Sequence, residues 1–257
     1  MTVPKLRLYN PNRDIVKWDT KQGQGLHTMI DTNYPGQANA LLAEIGVHQL
    51  AHGVWAFTDV DTASHAYIHH SRKPVALTAY AVVNPTFAAG RFAGYTLADM
   101  VDKAPSMDYA EYAALAMVCG ASTPSMNSSK QRAEIFGNAV WAIVEGYSLG
   151  ACFERVQAYG TEGTHYQLRP RGYNWDGDRE AQPEALKAMR KAYRAMTPLQ
   201  QIMVLTIMHL YCQGKDKYHL VGGCPTQIPA AEAIGVLKGN DQALAVWGHL
   251  VSHYAGW

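Results

Sequence analysis

Excess charge of either sign is missing from this sequence. Lys and Arg number 22 against 21 Asp and Glu, so no strong overall field recruits DNA, RNA or an anionic membrane, and only local patches could do so. Cysteine is scarce: Cys119, Cys152, Cys212 and Cys224 are widely spaced, with no CxxC pair. That argues against a zinc site, a redox dithiol or a disulfide scaffold, and predicts reduced, mostly buried thiols. No window approaches the roughly 18 uninterrupted apolar residues of a membrane span. The opening MTVPKLRLYNPNRD lacks the apolar run of a secretory signal. A cytoplasmic protein is expected, touching neither nucleic acid nor membrane, and no internal repeat or low-complexity segment breaks the chain.

What is present suits a sizeable core. The 257 residues are 48% hydrophobic, enough for one large domain or two small ones. The alternation of LRLYN over residues 6–10 suggests a short edge strand before Pro11. Residues 19–37 read as loop. Residues 38–52 place Leu41, Leu42, Ile45, Val47 and Leu50 near helical spacing, with Gly53 as the stop. SHAYIHH and PVALTAYAVV are rich in β-formers, separated by Ser71, Arg72 and Lys73, and read as an antiparallel hairpin. Residues 86–108 form either an irregular insertion or a strand and helix pair, with a short helix over 97–102.

The stretch from Glu111 to Tyr173 carries the most pattern. AALAMVC (113–119) is continuously apolar, as in a strand buried on both faces, although so short a run also suits a helix. A polar loop surrounds Pro124. Residues 130–149 then put Ile135, Phe136, Ala139, Val140, Ile143, Val144 and Tyr147 on one helix face, and ACFERVQAY alternates like a strand. Beyond Tyr173 the pattern is helical. Residues 183–196 carry a basic face (Lys187, Arg190, Lys191, Arg194), Thr197 and Pro198 open an apolar helix running to about Gln213, and two further helical runs close the chain.

The order helix, hairpin, buried strand, polar loop, long helix, strand and tyrosine-bearing turn (THYQLRPRGYN) resembles the GNAT N-acetyltransferase superfamily over about residues 38–173. The resemblance implies an α/β (α+β) fold with a mixed central sheet. It implies a GNAT-like core over residues 1–178 and a helical C-terminal extension over 179–257 packed on it. It also implies acetyl-CoA as cosubstrate, its pyrophosphate held where a loop enters a helix N-terminus. Cys119 at the end of the strand and Asn127, Ser128, Ser129, Lys130, Gln131 and Arg132 after it would contact that cofactor. Lys130 and Arg132 stand where the family pattern has glycines. Either side chains hold the pyrophosphate here, or cofactor binding is lost on a retained scaffold. By the same resemblance Tyr166 is the general acid that protonates the departing thiolate, and Glu111 or a histidine removes the amine proton.

Two functions follow as expectations. One is acetyl-CoA-dependent transfer of an acetyl group to a small-molecule or protein amine. The other is a non-catalytic GNAT-like binding protein, its C-terminal helices engaging a cytoplasmic partner protein, as in an accessory protein of a phage or mobile element. Glu44, His48 and His52, and separately His249 and His253, fall at i, i+4 spacing. They lack the HExxH order, and no metal site is expected from them. The basic run from Lys187 to Arg194 reads as a solvated helix face.

Overall fold

A helix stands where the sequence predicts the central strand. The computed structural model describes residues 34–51, 54–57, 73–83, 94–102, 104–124, 129–156, 165–212 and 219–256. In chain order the elements are α1 (Tyr34–Glu44), β1 (Val47–Ala51), β2 (Val54–Phe57), α2 (Lys73–Val83), α3 (Leu97–Val101), α4 (Tyr109–Cys119), α5 (Ser129–Gly146), β3 (Phe153–Arg155), β4 (Leu168–Pro170), α6 (Pro183–Arg194), α7 (Pro198–Cys212), α8 (Ala230–Lys238) and α9 (Ala243–Ser252). Short 3-10 turns lie at Ala104–Ser106 and His165–Gln167.

Residues 113–119 belong to α4, and the reason lies in its flanks. Asp108 caps the helix, its Oδ1 accepting the Glu111 N–H at 2.9 Å, while Glu111 Oε2 accepts the Asp108 N–H at 2.8 Å. This reciprocal box satisfies two of the donors a helix start leaves open. Alanine at 110, 113, 114 and 116 favours helix. Gly120 then closes the C-terminus in the left-handed region at φ 72°. The run is apolar all round because α1, α2 and α9 all pack on α4, not because it is a strand with two covered faces.

The same correction applies at PVALTAYAVV, which is α2, with Val75, Ala76, Leu77, Ala79 and Tyr80 all buried. Its β-branched residues gave a strand signal, but Pro74 in the first turn suits a helix start. The other half of the expected hairpin, residues 64–70, and the edge strand at 6–10 lie outside the described residues. The helix expected over 38–52 ends at Glu44, where Gly46 turns at φ 78° and the chain becomes β1.

Among the described residues the strands form two separate two-stranded antiparallel sheets, β1 with β2 and β3 with β4. No described strand joins them into a mixed central sheet. In β3–β4, Phe153 faces Pro170, Glu154 faces Arg169 and Arg155 faces Leu168. The composition is therefore α+β, mostly helical, with two small sheets.

Residues 33–257 form one unit, and its apolar core runs from Ala38 to Tyr254. From Ile202 onward the described side chains of the apolar helix α7 are buried on every side, including Val204, Leu205, Ile207 and Met208, as its sequence predicts. Trp247 on α9 donates its indole N–H to Thr206 Oγ1 on α7 at 2.8 Å inside that core, which satisfies both groups where water is excluded. On α6, Arg190 and Arg194 donate to the backbone carbonyls of His219 and Gly222 at 2.7 and 3.1 Å, so half of the basic face fastens a loop. Lys187 and Lys191 are exposed.

Candidate functional site

The polar segment ahead of α5 was expected to face a cofactor, and one of its residues lines a cavity. Ser129 begins α5, Lys130 and Gln131 in its first turn are exposed, and Arg132 turns inward. Asn127 and Ser128 lie outside the described residues, as does the side chain of Ser129.

Arg132 is held from two sides. Its Nη1 donates to the Tyr109 hydroxyl and its Nη2 to the Tyr254 carbonyl, both at 3.0 Å. Its guanidinium carbon sits 5.0 Å from the ring centre of Tyr109 and 5.8 Å from that of Tyr112, within cation–π range. Tyr109 and Tyr112 are three residues apart, so the α-helix presents both rings on one face. The capping box at Asp108 and Glu111 fixes the helix start from which they project. Tyr112 in turn donates to the Ala104 carbonyl at 2.8 Å. Its phenol is pushed up to about 12 by burial, with Arg132 opposing in part, so it stays a neutral hydrogen-bonding group at physiological pH.

These residues enclose a cavity of about 240 Å³, whose wall is completed by Pro105, Met107, Tyr254, Ala255 and Gly256. Two of the five guanidinium N–H groups are engaged by neutral oxygens. Among the described residues Arg132 has no carboxylate partner. The arrangement is a full positive charge in an aromatic-walled recess, with donors left over for an anion.

Tyr166 does not line this recess; a chain of ring contacts through His165 and Phe136 links it to Tyr254 in the wall. Phe136, one turn beyond Arg132 on α5, has its ring centre 5.3 Å from that of Tyr254 and 5.0 Å from that of His165, and the His165 and Tyr166 rings are 4.0 Å apart. Tyr166 is half-buried, and its carbonyl accepts from Arg169 at 2.7 Å. His165 is buried, and burial first and Arg169 second lower its imidazole to about 4, so it is neutral at pH 7. Nearby, Gly172 of the tyrosine turn has φ 108°, and a Cβ there would collide with Leu186; the position requires glycine.

Glu111 and Cys119 have structural work. The Glu111 carboxylate is buried at the start of its own helix, in the capping box described above. Cys119 is buried where α4 meets α9, its thiol pushed far up by burial. Gly248 lies against it so closely that a Cβ at 248 would fall on the Cβ of Cys119. Glu44 ends α1 while His48 lies on β1, so they share no helix face, and His52 lies outside the described residues. The described residues contain no group of three or more His, Cys, Asp or Glu side chains placed to hold a metal. His249 on α9 and His253 at its C-cap do meet, with ring centres 4.0 Å apart.

The sequence reading missed Tyr109, Tyr112 and Tyr254. The spacing Tyr-x-x-Tyr behind a capping box was the available signal, hidden because the segment was read as the entrance to a strand. No family model, curated protein or solved structure matches this chain.

Proposed function

We propose that this protein binds a small molecule through a phosphate or carboxylate placed against Arg132. The observation that carries the reading is the Arg132 guanidinium, set among Tyr109, Tyr112 and Tyr254 at a cavity wall with N–H groups to spare. A cavity of about 240 Å³ is smaller than the roughly 300–1,000 Å³ that encloses a drug-sized ligand. It takes the anionic end and the first few atoms, while the remainder of the ligand extends into solvent. Calorimetric titration with inorganic phosphate tests this directly. Arg132→Gln should weaken binding about 10- to 100-fold, the value of a hydrogen-bonded charge. Equal affinity in wild type and variant, or no binding to either, would remove the cleft from function.

A second reading, acetyl-CoA-dependent N-acetyl transfer on a divergent GNAT-like scaffold, is favoured by one observation. Arg132, expected from the resemblance to hold the cofactor's pyrophosphate, lines the cleft, while Tyr166 stands behind its wall, linked to Tyr254 through His165 and Phe136. In this reading Arg132 holds a phosphate of acetyl-CoA, Tyr166 protonates the leaving thiolate, and a histidine takes the amine proton in place of the engaged Glu111. Tyr166→Phe should then lower turnover at least about tenfold with acetyl-CoA affinity unchanged. Equal turnover would exclude Tyr166 from the chemistry.

A further inference from the structure

Besides the Arg132 cleft, the segment after α4 and the helix α9 bring together a serine and a histidine to which neither functional reading assigns a role. Ser122 follows the left-handed Gly120 at the end of α4 and is exposed. Its Oγ lies 3.2 Å from Nδ1 of His249 on α9, and among the described residues this is its one hydrogen bond. We propose that Ser122 and His249 form a nucleophile and general-base pair that accepts an acyl group from a small activated carboxylic ester or thioester.

Three features prepare the pair. The crossing of Cys119 on Gly248 draws the end of α4 against the very turn of α9 that carries His249, so the separation is set by packing and not by two mobile side chains. The His249 ring lies against that of His253, which is itself held by a hydrogen bond from its Nδ1 to the His249 carbonyl at 2.9 Å. Burial lowers the His249 imidazole, which keeps it neutral and able to accept a proton at physiological pH. In the required tautomer the His249 proton is on Nε2, leaving Nδ1 to accept from the serine hydroxyl. The backbone N–H groups of Ser122 and Thr123 have no acceptor among the described residues, which leaves them open to a developing oxyanion.

The chemistry balances without any further reactant. Ser122 Oγ attacks the acyl carbon and its proton passes to His249 Nδ1. The bond to the leaving alcohol or thiol breaks, and that group departs with the proton. Water, deprotonated by the same imidazole, then releases the acid or, if water is slow, the acyl-serine accumulates.

p-Nitrophenyl acetate is the probe. It is uncharged, so its reaction does not depend on anion binding at Arg132 and the two assignments stand or fall separately. With the full chain, we expect nitrophenolate release with an acetyl group mapped by peptide mass spectrometry to Ser122. His249→Gln should slow acylation of Ser122 about 100-fold, and Ser122→Ala, at an exposed position that leaves the core untouched, should abolish the adduct and the release tied to it. Release undiminished in Ser122→Ala, with acetyl groups on lysines or histidines only, would overturn the proposal. An absence of any reaction above buffer would do the same, as would Ser122 acylation at the wild-type rate in His249→Gln.

Discussion

Glu111 and Arg132 show how far side-chain chemistry could be read without the fold. Arg132 stands out in the sequence as a cation where a polar segment enters a long helix, and in the fold it lies in the first turn of α5 and lines the cleft. The base role that the resemblance implies for Glu111 needs a strand beside it; on a helix, a carboxylate three residues after Asp108 closes a capping box. Removing it is therefore a change in helix stability rather than in chemistry. Glu111→Ala should cost about 1 kcal/mol in denaturant unfolding and leave phosphate affinity unaltered. A loss of binding at undiminished stability would return Glu111 to the site. The tyrosines of the cleft were illegible for the same reason, since Tyr109 and Tyr112 share a face only once that segment coils.

Among the elements, α5, α6 and α7 were readable as helices and the apolar α2 and α4 were not. α5 and α6 show one buried stripe, and α7 announces itself through Thr197 and Pro198. α2 and α4 have no polar face to give their period away, because each is wrapped by other helices. What distinguishes them from strands lies in flanking residues: Pro74, the Asp108 box and Gly120. The crossing of α4 and α9 has a similarly local determinant. Gly248→Ala should destabilise the protein by about 1–3 kcal/mol through overpacking, measured as a lower unfolding midpoint. Adding Cys119→Ala should not restore it, because the collision is with the Cβ that alanine keeps. An unchanged midpoint in the single variant would mean that the two helices separate at no cost.

For the whole molecule, buried imidazoles set a pH limit. His165 and His253 are almost fully buried and lowered to about 4, by burial in both cases, from an ordinary value of 6.5. The unfolded chain takes up protons at these positions near pH 6.5 and the folded chain only near 4. Across that window the unfolded state binds more protons, so stability falls as the solution is acidified, and the loss levels off below pH 4. Each imidazole contributes on the order of 3 kcal/mol. Thermal melts from pH 7 to pH 4 should show a progressive fall that His165→Phe reduces; a flat profile would mean that both imidazoles protonate freely in the folded chain.

The covering of α4 has a consequence for how the protein is made. One of its sides meets α1, which precedes it, and another meets α9, whose last residue, Ser252, lies about 130 residues beyond Cys119. At roughly 5–20 residues per second, the ribosome leaves α4 without its final neighbour for roughly 7 to 26 seconds. Through that interval an alanine-rich apolar surface is open to other nascent chains. The core around α4 closes only once α9 has left the ribosome.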